Sequence, residues 1–163
     1  MTEYRVAVGK EALVFAAAHF ITFGRGGCEP LHGHNYRVAV TVAGDLDSHS
    51  MVYDFVALRR DMQAILAELD HRVILPQSNP DLEVESSDDQ VEVRHVSRRY
   101  VFPRSDVVLL PVPNTTAEKL AEYLGGRLET HLRQIRTGEF RRVEVEVEET
   151  PGQSAFSTRR PGS

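Results

Sequence analysis

The sequence predicts an α+β domain, and three observations lead there. Period-two apolar patterns, as strands with one buried face produce, gather toward both ends of the chain. Two segments between them carry apolar residues at three- and four-residue spacing, as helices with one buried stripe do. A run of short β-like pieces separates those two helices. The order reads β-β-β-α-(β excursion)-α-β, one domain over residues 1–156, with residues 157–163 as a frayed tail.

Tyr4 to His19 is rich in Val, Ala and Phe, with Gly9-Lys10 in its middle, and reads as one long bulged strand or two short ones. Asn35 to Gly44 alternates clearly, placing Tyr36, Val38, Val40 and Val42 on one face. Gly44 to Ser50 is turn material, and Met51 to Tyr53 reads as a returning strand. Asp54 is a good N-cap for a helix whose stripe is Phe55, Leu58, Met62, Ile65, Leu66 and Leu69, ending near Asp70-His71. Four short pieces follow over Leu82 to Leu110: Leu82–Glu85, Val91–Val96, Tyr100–Phe102 and Val107–Leu110. They read as a hairpin excursion from the core. The second helix spans about Thr116 to Ile135, with Leu120, Leu124, Leu128, Leu132 and Ile135 in one stripe and a capping-box spacing at Thr115 and Glu118. Gly125-Gly126 predicts a local irregularity in its middle. Arg142 to Glu149 alternates strictly, with valines on one face and glutamates on the other, as in a half-buried antiparallel strand.

At 163 residues the chain is long enough to bury a core as a single domain. Its 41% hydrophobic and 26% charged content is that of a soluble globular protein. No apolar run reaches membrane-spanning length and no basic-then-apolar leader opens the chain, so neither a membrane nor secretion is expected. A single cysteine excludes an intramolecular disulfide framework and makes the cytoplasm the expected compartment. The net charge of −5 argues against nucleic acid as a main partner.

The chemistry concentrates in Cys28-x-x-x-His32-Gly33-His34. Extending the strand that begins near Tyr36 back by four residues puts His32 and His34 on one face, where imidazoles can share a metal ion. His19 closes the strand region before it; antiparallel neighbours would bring three nitrogens together with one position open, as in a catalytic zinc site. On local grounds His19 equally reads as a satisfied core histidine after three alanines. Cys28 lies in a Gly-rich loop, where a thiol near a divalent cation has a lowered pKa and can act as a base. Asp70-His71 is a second acid/base candidate, since a carboxylate can hold an imidazole in one tautomer; a histidine at a helix C-terminus also satisfies the helix dipole. Glu149 ends the apolar face of the last strand in a carboxylate, which can accept two parallel hydrogen bonds from an amino-pyrimidinone edge or simply be solvated. Thr115 and Thr116 at the helix start either cap it or offer backbone groups to a heterocycle.

Taken together, Phe15-x-x-x-His19, Cys28-x-x-x-His32-Gly33-His34-Asn35-Tyr36, Met51-x-x-Asp54-Phe55, Leu69-Asp70-His71, Thr115-Thr116-Ala117-Glu118 and Glu149-Thr150 resemble the 6-pyruvoyltetrahydropterin synthase family, which includes the 6-carboxytetrahydropterin synthases of queuosine biosynthesis. The matching elements occur in family order over most of the chain. The resemblance implies a tunnelling fold: a four-stranded antiparallel sheet with two helices on one face, here with a β-hairpin insertion at about 82–110. It implies a homohexamer, a dimer of trimers, with active sites between subunits. It implies zinc (Zn2+) held by His19, His32 and His34, and proton transfer by Cys28, Asp70 and His71, the latter two from a neighbouring subunit. Glu149, with the backbone around Thr115 and Thr116, would bind the pterin. The implied activity is that of a lyase converting 7,8-dihydroneopterin triphosphate to 6-carboxy-5,6,7,8-tetrahydropterin or 6-pyruvoyltetrahydropterin with loss of triphosphate.

Two departures stand beside this. The 82–110 segment is longer than compact bacterial members need, so Arg98, Arg99 or Arg104 either approaches the triphosphate or is merely solvated. Glu29 stands where family members that make 6-hydroxymethyl-7,8-dihydropterin for folate carry a glutamate, leaving open a catalytic role for it beside Cys28. A non-catalytic oligomeric pterin-binding protein is the reading from a different class; intact Cys28, Asp70 and His71 speak against it.

Overall fold

A computed structural model describes residues 2–135 and 140–160. Five strands precede the first helix: β1 (Tyr4–Val8), β2 (Val14–His19), β3 (Thr22–Phe23), β4 (Gly27–Cys28) and the thirteen-residue β5 (His32–Gly44). Then come α1 (Phe55–Ala67), β6 (Arg72–Pro76), β7 (Glu83–Ser86), β8 (Gln90–His95), β9 (Arg98–Pro103), a single 3-10 turn and β10 (Val107–Leu110). The chain closes with α2 (Ala117–Ile135), β11 (Phe140–Thr150) and β12 (Gln153–Arg159).

β5 organises the main sheet, whose order is β10-β6-β2-β5-β11-β12, with β1 also on β5. Its first half pairs with β2 (Phe15 opposite Tyr36, His19 opposite His32) and its second half with β1 (Val8 opposite Val40, Tyr4 opposite Gly44). The break between the two partners falls at Gly9–Leu13, so the N-terminal region forms two strands. Along its other side β5 pairs with β11, Val38 opposite Val147 and Val42 opposite Val143. The valines of both strands share one face, and both helices lie on it: Leu58, Met62, Ile65 and Leu66 of α1 and Leu120, Leu124, Leu128 and Leu132 of α2 join the same buried cluster as Val38, Val40, Val145 and Val147. Burying each such side chain contributes roughly 1.5–3 kcal/mol.

The fold class is α+β with two helices on one face, as expected, and the details differ in several places. The sheet is not a four-stranded antiparallel one. β6 runs parallel to β2, and β10 runs parallel to β6, because α1 carries the chain back before β6 enters the sheet. The insertion is a three-stranded meander, β7-β8-β9, rather than a hairpin, and it ends at Pro103; β10 belongs to the main sheet. Met51–Tyr53 is not a strand: the Asp47 carboxylate accepts from the backbone N–H of His49 (2.8 Å) and of Met51 (3.0 Å), so a side-chain turn satisfies this segment's backbone. The expected tail is also displaced. Ser157 to Arg159 complete β12, which returns along β11 through a turn in which Gly152 takes φ +83°; residues 161–163 lie outside the described ones.

The helix caps conform in one case and shift in the other. Asp54 accepts from Ala57 N at 2.8 Å. At α2 the cap is Thr116, whose hydroxyl accepts from Lys119 N at 3.4 Å, while Thr115 Oγ1 donates to Phe20 O at 3.0 Å. Gly125-Gly126 leaves α2 unbroken. A Cβ at Gly125 would stand 3.4 Å from Arg159 Cδ and 3.7 Å from Val145 Cγ2, so the glycine lets the helix lie close on β11 and β12.

A second, smaller core lies beneath the insertion. Phe20, Leu75, Val91, Val93 and Val107 are buried together, with Cys28, Leu31 and Tyr100 packed against them. Phe20, the residue after His19, stacks on Tyr100 of β9 at 5.4 Å. The inserted sheet therefore docks beside the β2 end that carries His19.

Candidate active site

His19 ends β2 and His32 begins β5, and the register sets them opposite each other; His34 lies opposite Ala17, two residues along the same pleat. Ligand atoms of the three imidazoles lie within 4.8 Å of one another. His19 is fully buried, and His32 and His34 are partly exposed, so the cluster opens in one direction.

Backbone carbonyls hold two of the rings. His19 Nδ1 lies 2.9 Å from Thr115 O, and His32 Nδ1 lies 2.8 Å from Pro30 O. A carbonyl only accepts, so each Nδ1 carries the proton and each Nε2 keeps a lone pair. Tyr36, stacked on Phe15 and buried, brings its hydroxyl to 3.1 Å from His19 Nε2 and 3.3 Å from Glu149 Oε1. Glu149 Oε1 itself lies 3.2 Å from His19 Nε2 and 3.6 Å from His34 Nε2, and that buried His34 nitrogen has no hydrogen-bond partner. Ring lone pairs and a carboxylate oxygen thus converge on one point, an arrangement that is favourable when they share a cation. The donor set fits a metal ion: three imidazoles gathered in one cluster, with the Nδ1 of His19 and of His32 held by carbonyls so that Nε2 is the atom offered. Electrostatics agree. Burial, reinforced by His19 and His32, holds His34 below the usual histidine range, and contact with the His19 ring holds the Glu149 carboxyl down.

Cys28 sits on β4 opposite Thr22, and its thiol donates to Glu29 O at 3.3 Å. Burial pushes the thiol's pKa up, and the Arg98 guanidinium works against it. Glu29 points toward the cluster, its Oε2 buried without a hydrogen-bond partner and 3.9 Å from His32 Nε2. Beyond Glu149, a recess of about 330 Å³ is lined by Gly33, His34, Asn35, Glu148 and Thr150.

Asp70 and His71 stand apart. Asp70 Oδ1 accepts from Ala16 N at 2.8 Å, Oδ2 lies 3.0 Å from His71 Nδ1, and His71 N donates to Ala16 O at 2.6 Å. His71 takes a left-handed φ of 57° and its side chain is 82% exposed. Among the described residues the side chains of this pair make their polar contacts to Ala16 and to each other, although His71 and His34 line one open groove of about 480 Å³. Thr115 lies in the site as a buried residue whose carbonyl orients His19, and Thr116 caps α2. Of the arginines in the insertion, Arg98 reaches the site, donating from Nη1 to Glu29 O at 2.6 Å; Arg99 pairs with Glu92 and Arg104 donates to Val107 O.

Sequence reasoning missed Tyr36 and the orienting carbonyls. Tyr36 had a usable signal, since it shares the pleat of His32 and His34 and carries a hydroxyl into an otherwise valine face. The carbonyls of Pro30 and Thr115 have none, because any residue supplies one.

The family model of 6-pyruvoyl tetrahydropterin synthase matches residues 9–160. A Methanocaldococcus jannaschii protein carrying the provisional name 6-carboxy-5,6,7,8-tetrahydropterin synthase is 35% identical over 144 residues, 88% of each chain. The 6-carboxy-5,6,7,8-tetrahydropterin synthase of Aquifex aeolicus is 30% identical, covering 67% of this chain and 70% of its own. The crystal structure of Plasmodium vivax 6-pyruvoyl tetrahydropterin synthase superposes with a TM-score of 0.90 at 29% identity, over 98% of this chain and 99% of that one. In two further structures of that protein a catalytic-residue glutamate is replaced by alanine or cysteine.

Proposed function

The chain belongs to the 6-pyruvoyl tetrahydropterin synthase family, and from that premise we propose that it converts 7,8-dihydroneopterin triphosphate to 6-carboxy-5,6,7,8-tetrahydropterin. The observation that carries this reading is the convergence of the His19 and His34 Nε2 atoms with the Glu149 carboxylate, in a chain that also retains Cys28. The names of the curated relatives favour the carboxy product over the pyruvoyl one.

His19, His32 and His34 would hold zinc. When bound, it supplies Lewis acidity toward the hydroxyls of the substrate side chain. Glu149 accepts hydrogen bonds from the amino-pyrimidinone edge of the pterin seated in the adjoining recess, with the backbone around Thr115 and Thr116 nearby. Tyr36 keeps the Glu149 carboxylate and the His19 ring in register. Cys28, as the thiolate, takes a proton from one side-chain carbon, and His71, held through Nδ1 by Asp70, serves the other. Moving protons from side chain to ring reduces the pterin at the side chain's expense and triphosphate leaves; addition of one water then accompanies carbon–carbon cleavage, its oxygen completing the carboxyl left on the ring while the two outer carbons depart as acetaldehyde. The exposure of Asp70–His71 supports its delivery to a neighbouring subunit's site, in a cytoplasmic homohexamer built as a dimer of trimers.

A second reading rests on Glu29. Its carboxylate oxygen, unpartnered and beside His32, would serve as the base for cleaving dihydroneopterin, or its triphosphate, to 6-hydroxymethyl-7,8-dihydropterin. The catalytic-residue glutamate of the Plasmodium protein supports it.

The test is incubation of the zinc-loaded protein with dihydroneopterin triphosphate and with dihydroneopterin, products being identified by mass. The carboxy product, lost in C28A and kept in E29A, is expected. A hydroxymethyl product lost in E29A installs the second reading. If pterin binds and neither substrate is consumed, the enzyme reading fails in favour of a pterin-binding protein.

A further inference from the structure

The tip of the inserted sheet reaches the Cys28–Glu29 segment. β8 and β9 are joined by a two-residue turn, Val96-Ser97, and Arg98 is the first residue after it, opposite His95. The Arg98 guanidinium donates to Glu29 O at 2.6 Å, and the Cys28 thiol donates to that same carbonyl at 3.3 Å. Two donors from different parts of the chain thus meet on one oxygen, which brings a permanent cation beside the chain's single thiol. Among the described residues the charged groups acting on that thiol are Arg98 from β9 and Glu29 from its own segment.

The hairpin tip is built for this placement. Val96, a β-branched residue, adopts a left-handed φ of 51° while 86% exposed, a costly conformation that packing at Val96 does not explain. Farther along β9, Tyr100 stacks on Phe20 and on Phe102, at 5.4 and 6.0 Å between ring centroids. The strand is therefore anchored to the residue that follows His19, and its first side chain is delivered to the loop that precedes His32. Arg99, the next residue, faces the other way and forms a two-pronged pair with Glu92 at 2.8 and 2.7 Å. Alternation along the strand thus assigns one arginine to the inserted sheet's own stability and the other to the site.

We propose that Arg98 is a positioning residue of the active site: anchored on the Glu29 carbonyl, it fixes the Cys28–Glu29 segment and stabilises Cys28 as the thiolate. The inserted sheet is then part of the proton-transfer machinery, supplied by the same chain. A thiol this close to an apolar cluster resists losing its proton, and a neighbouring guanidinium offsets that resistance with a charge that does not titrate near neutrality. The inference rests on the reading of Cys28 as a proton carrier, but its test needs no substrate.

Because Cys28 is the only cysteine, the rate of alkylation by iodoacetamide as a function of pH reports this one group in the intact zinc-loaded protein. R98Q and R98M both remove the charge, and R98M keeps an apolar stem of similar length. In either, the alkylation midpoint should move to higher pH, with the rate near neutrality falling about threefold to tenfold, as loss of an adjacent cation predicts. R98K should recover part of the shift, and R99Q should reproduce the parent profile. Superposable profiles for the parent and whichever of R98Q and R98M folds would overturn the proposal; so would an R99Q shift of equal size, which would mean that the sheet acts only by packing. Absence of turnover on every pterin, with the R98 shift present, would sink the proposed activity and leave this inference standing.

Discussion

The two halves of the candidate site are held by the fold in opposite ways. The metal-facing half is held from within the chain: His19 by Thr115 just ahead of α2, His32 by Pro30, and Glu149 on β11 by the Tyr36 hydroxyl. Asp70–His71 is anchored at its base, through Leu66 and Ala16, and its imidazole stands in solvent. A metal must be gripped by groups that do not move. A proton carrier can wait on the surface for a substrate that another chain holds. The difference teaches that, on the proposed intersubunit arrangement, the binding half of the site should survive in one subunit while the chemistry would draw on two.

The harshest way to break that comparison is His19→Ala. Zinc content should fall from about one per chain to near zero, and turnover by at least about a thousandfold, as metal analysis and product assays would measure. The buried Thr115 carbonyl loses its partner, so unfolding should also come earlier by about 1–3 kcal/mol. His71→Ala should lower turnover by about 10²–10⁴ while zinc content and unfolding midpoint stay at parental values, given the exposure of that ring. Loss of zinc in H71A would erase the distinction between the halves. Refolding H71A together with C28A sharpens it further. Mixed assemblies should regain activity that neither variant has alone, whereas a pair acting within its own subunit predicts no recovery.

Tyr36→Phe is a smaller cut. It removes the hydroxyl bridging His19 and Glu149, and zinc affinity by competition with a chelator should weaken about 10- to 100-fold with the fold retained. The smallest effect is on stability at Asp70. The hydrogen bond from Ala16 N holds its carboxyl below the ordinary value of 3.8. A depressed folded-state pKa gives stability that is present above the unfolded value and lost as pH falls through the folded one. Denaturant unfolding of D70A should therefore lag the parent by less than about 1 kcal/mol near neutrality, since the group is well exposed, and the gap should close below about pH 4.

How far the sequence disclosed this molecule depends on whether a feature is local. Strand alternation in β5 and β11 and the helix stripes are local, and they led to the right class and the right face for His32, His34 and Glu149. The convergence of His19 with them is a matter of register between β2 and β5, which period-two reasoning permits but does not select. The parallel entry of β6 and β10 was invisible, because Val73-Ile74-Leu75 reads alike in any sheet. β12 was hidden for a related reason: an edge strand of Ser, Ala, Phe and Thr buries too little to show an apolar rhythm. Arg98 and Arg99 were indistinguishable as sequence, and only the Val96-Ser97 turn decides which of them faces the site.

The length of β5 has one more consequence. The same thirteen-residue strand carries His32 and His34 at one end and the buried Tyr36, Val38, Val40 and Val42 after them, all on one pleat. A slip of one residue against β2 and β11 would turn both imidazoles outward, and with them every one of those core side chains. Each misplaced core residue forfeits about 1.5–3 kcal/mol, so a chain with a mis-set site is also a chain that does not fold. The strand thereby acts as its own proofreader: a population of folded molecules contains almost none whose two imidazoles point the wrong way, and selection for stability guards the candidate site without having to sense it.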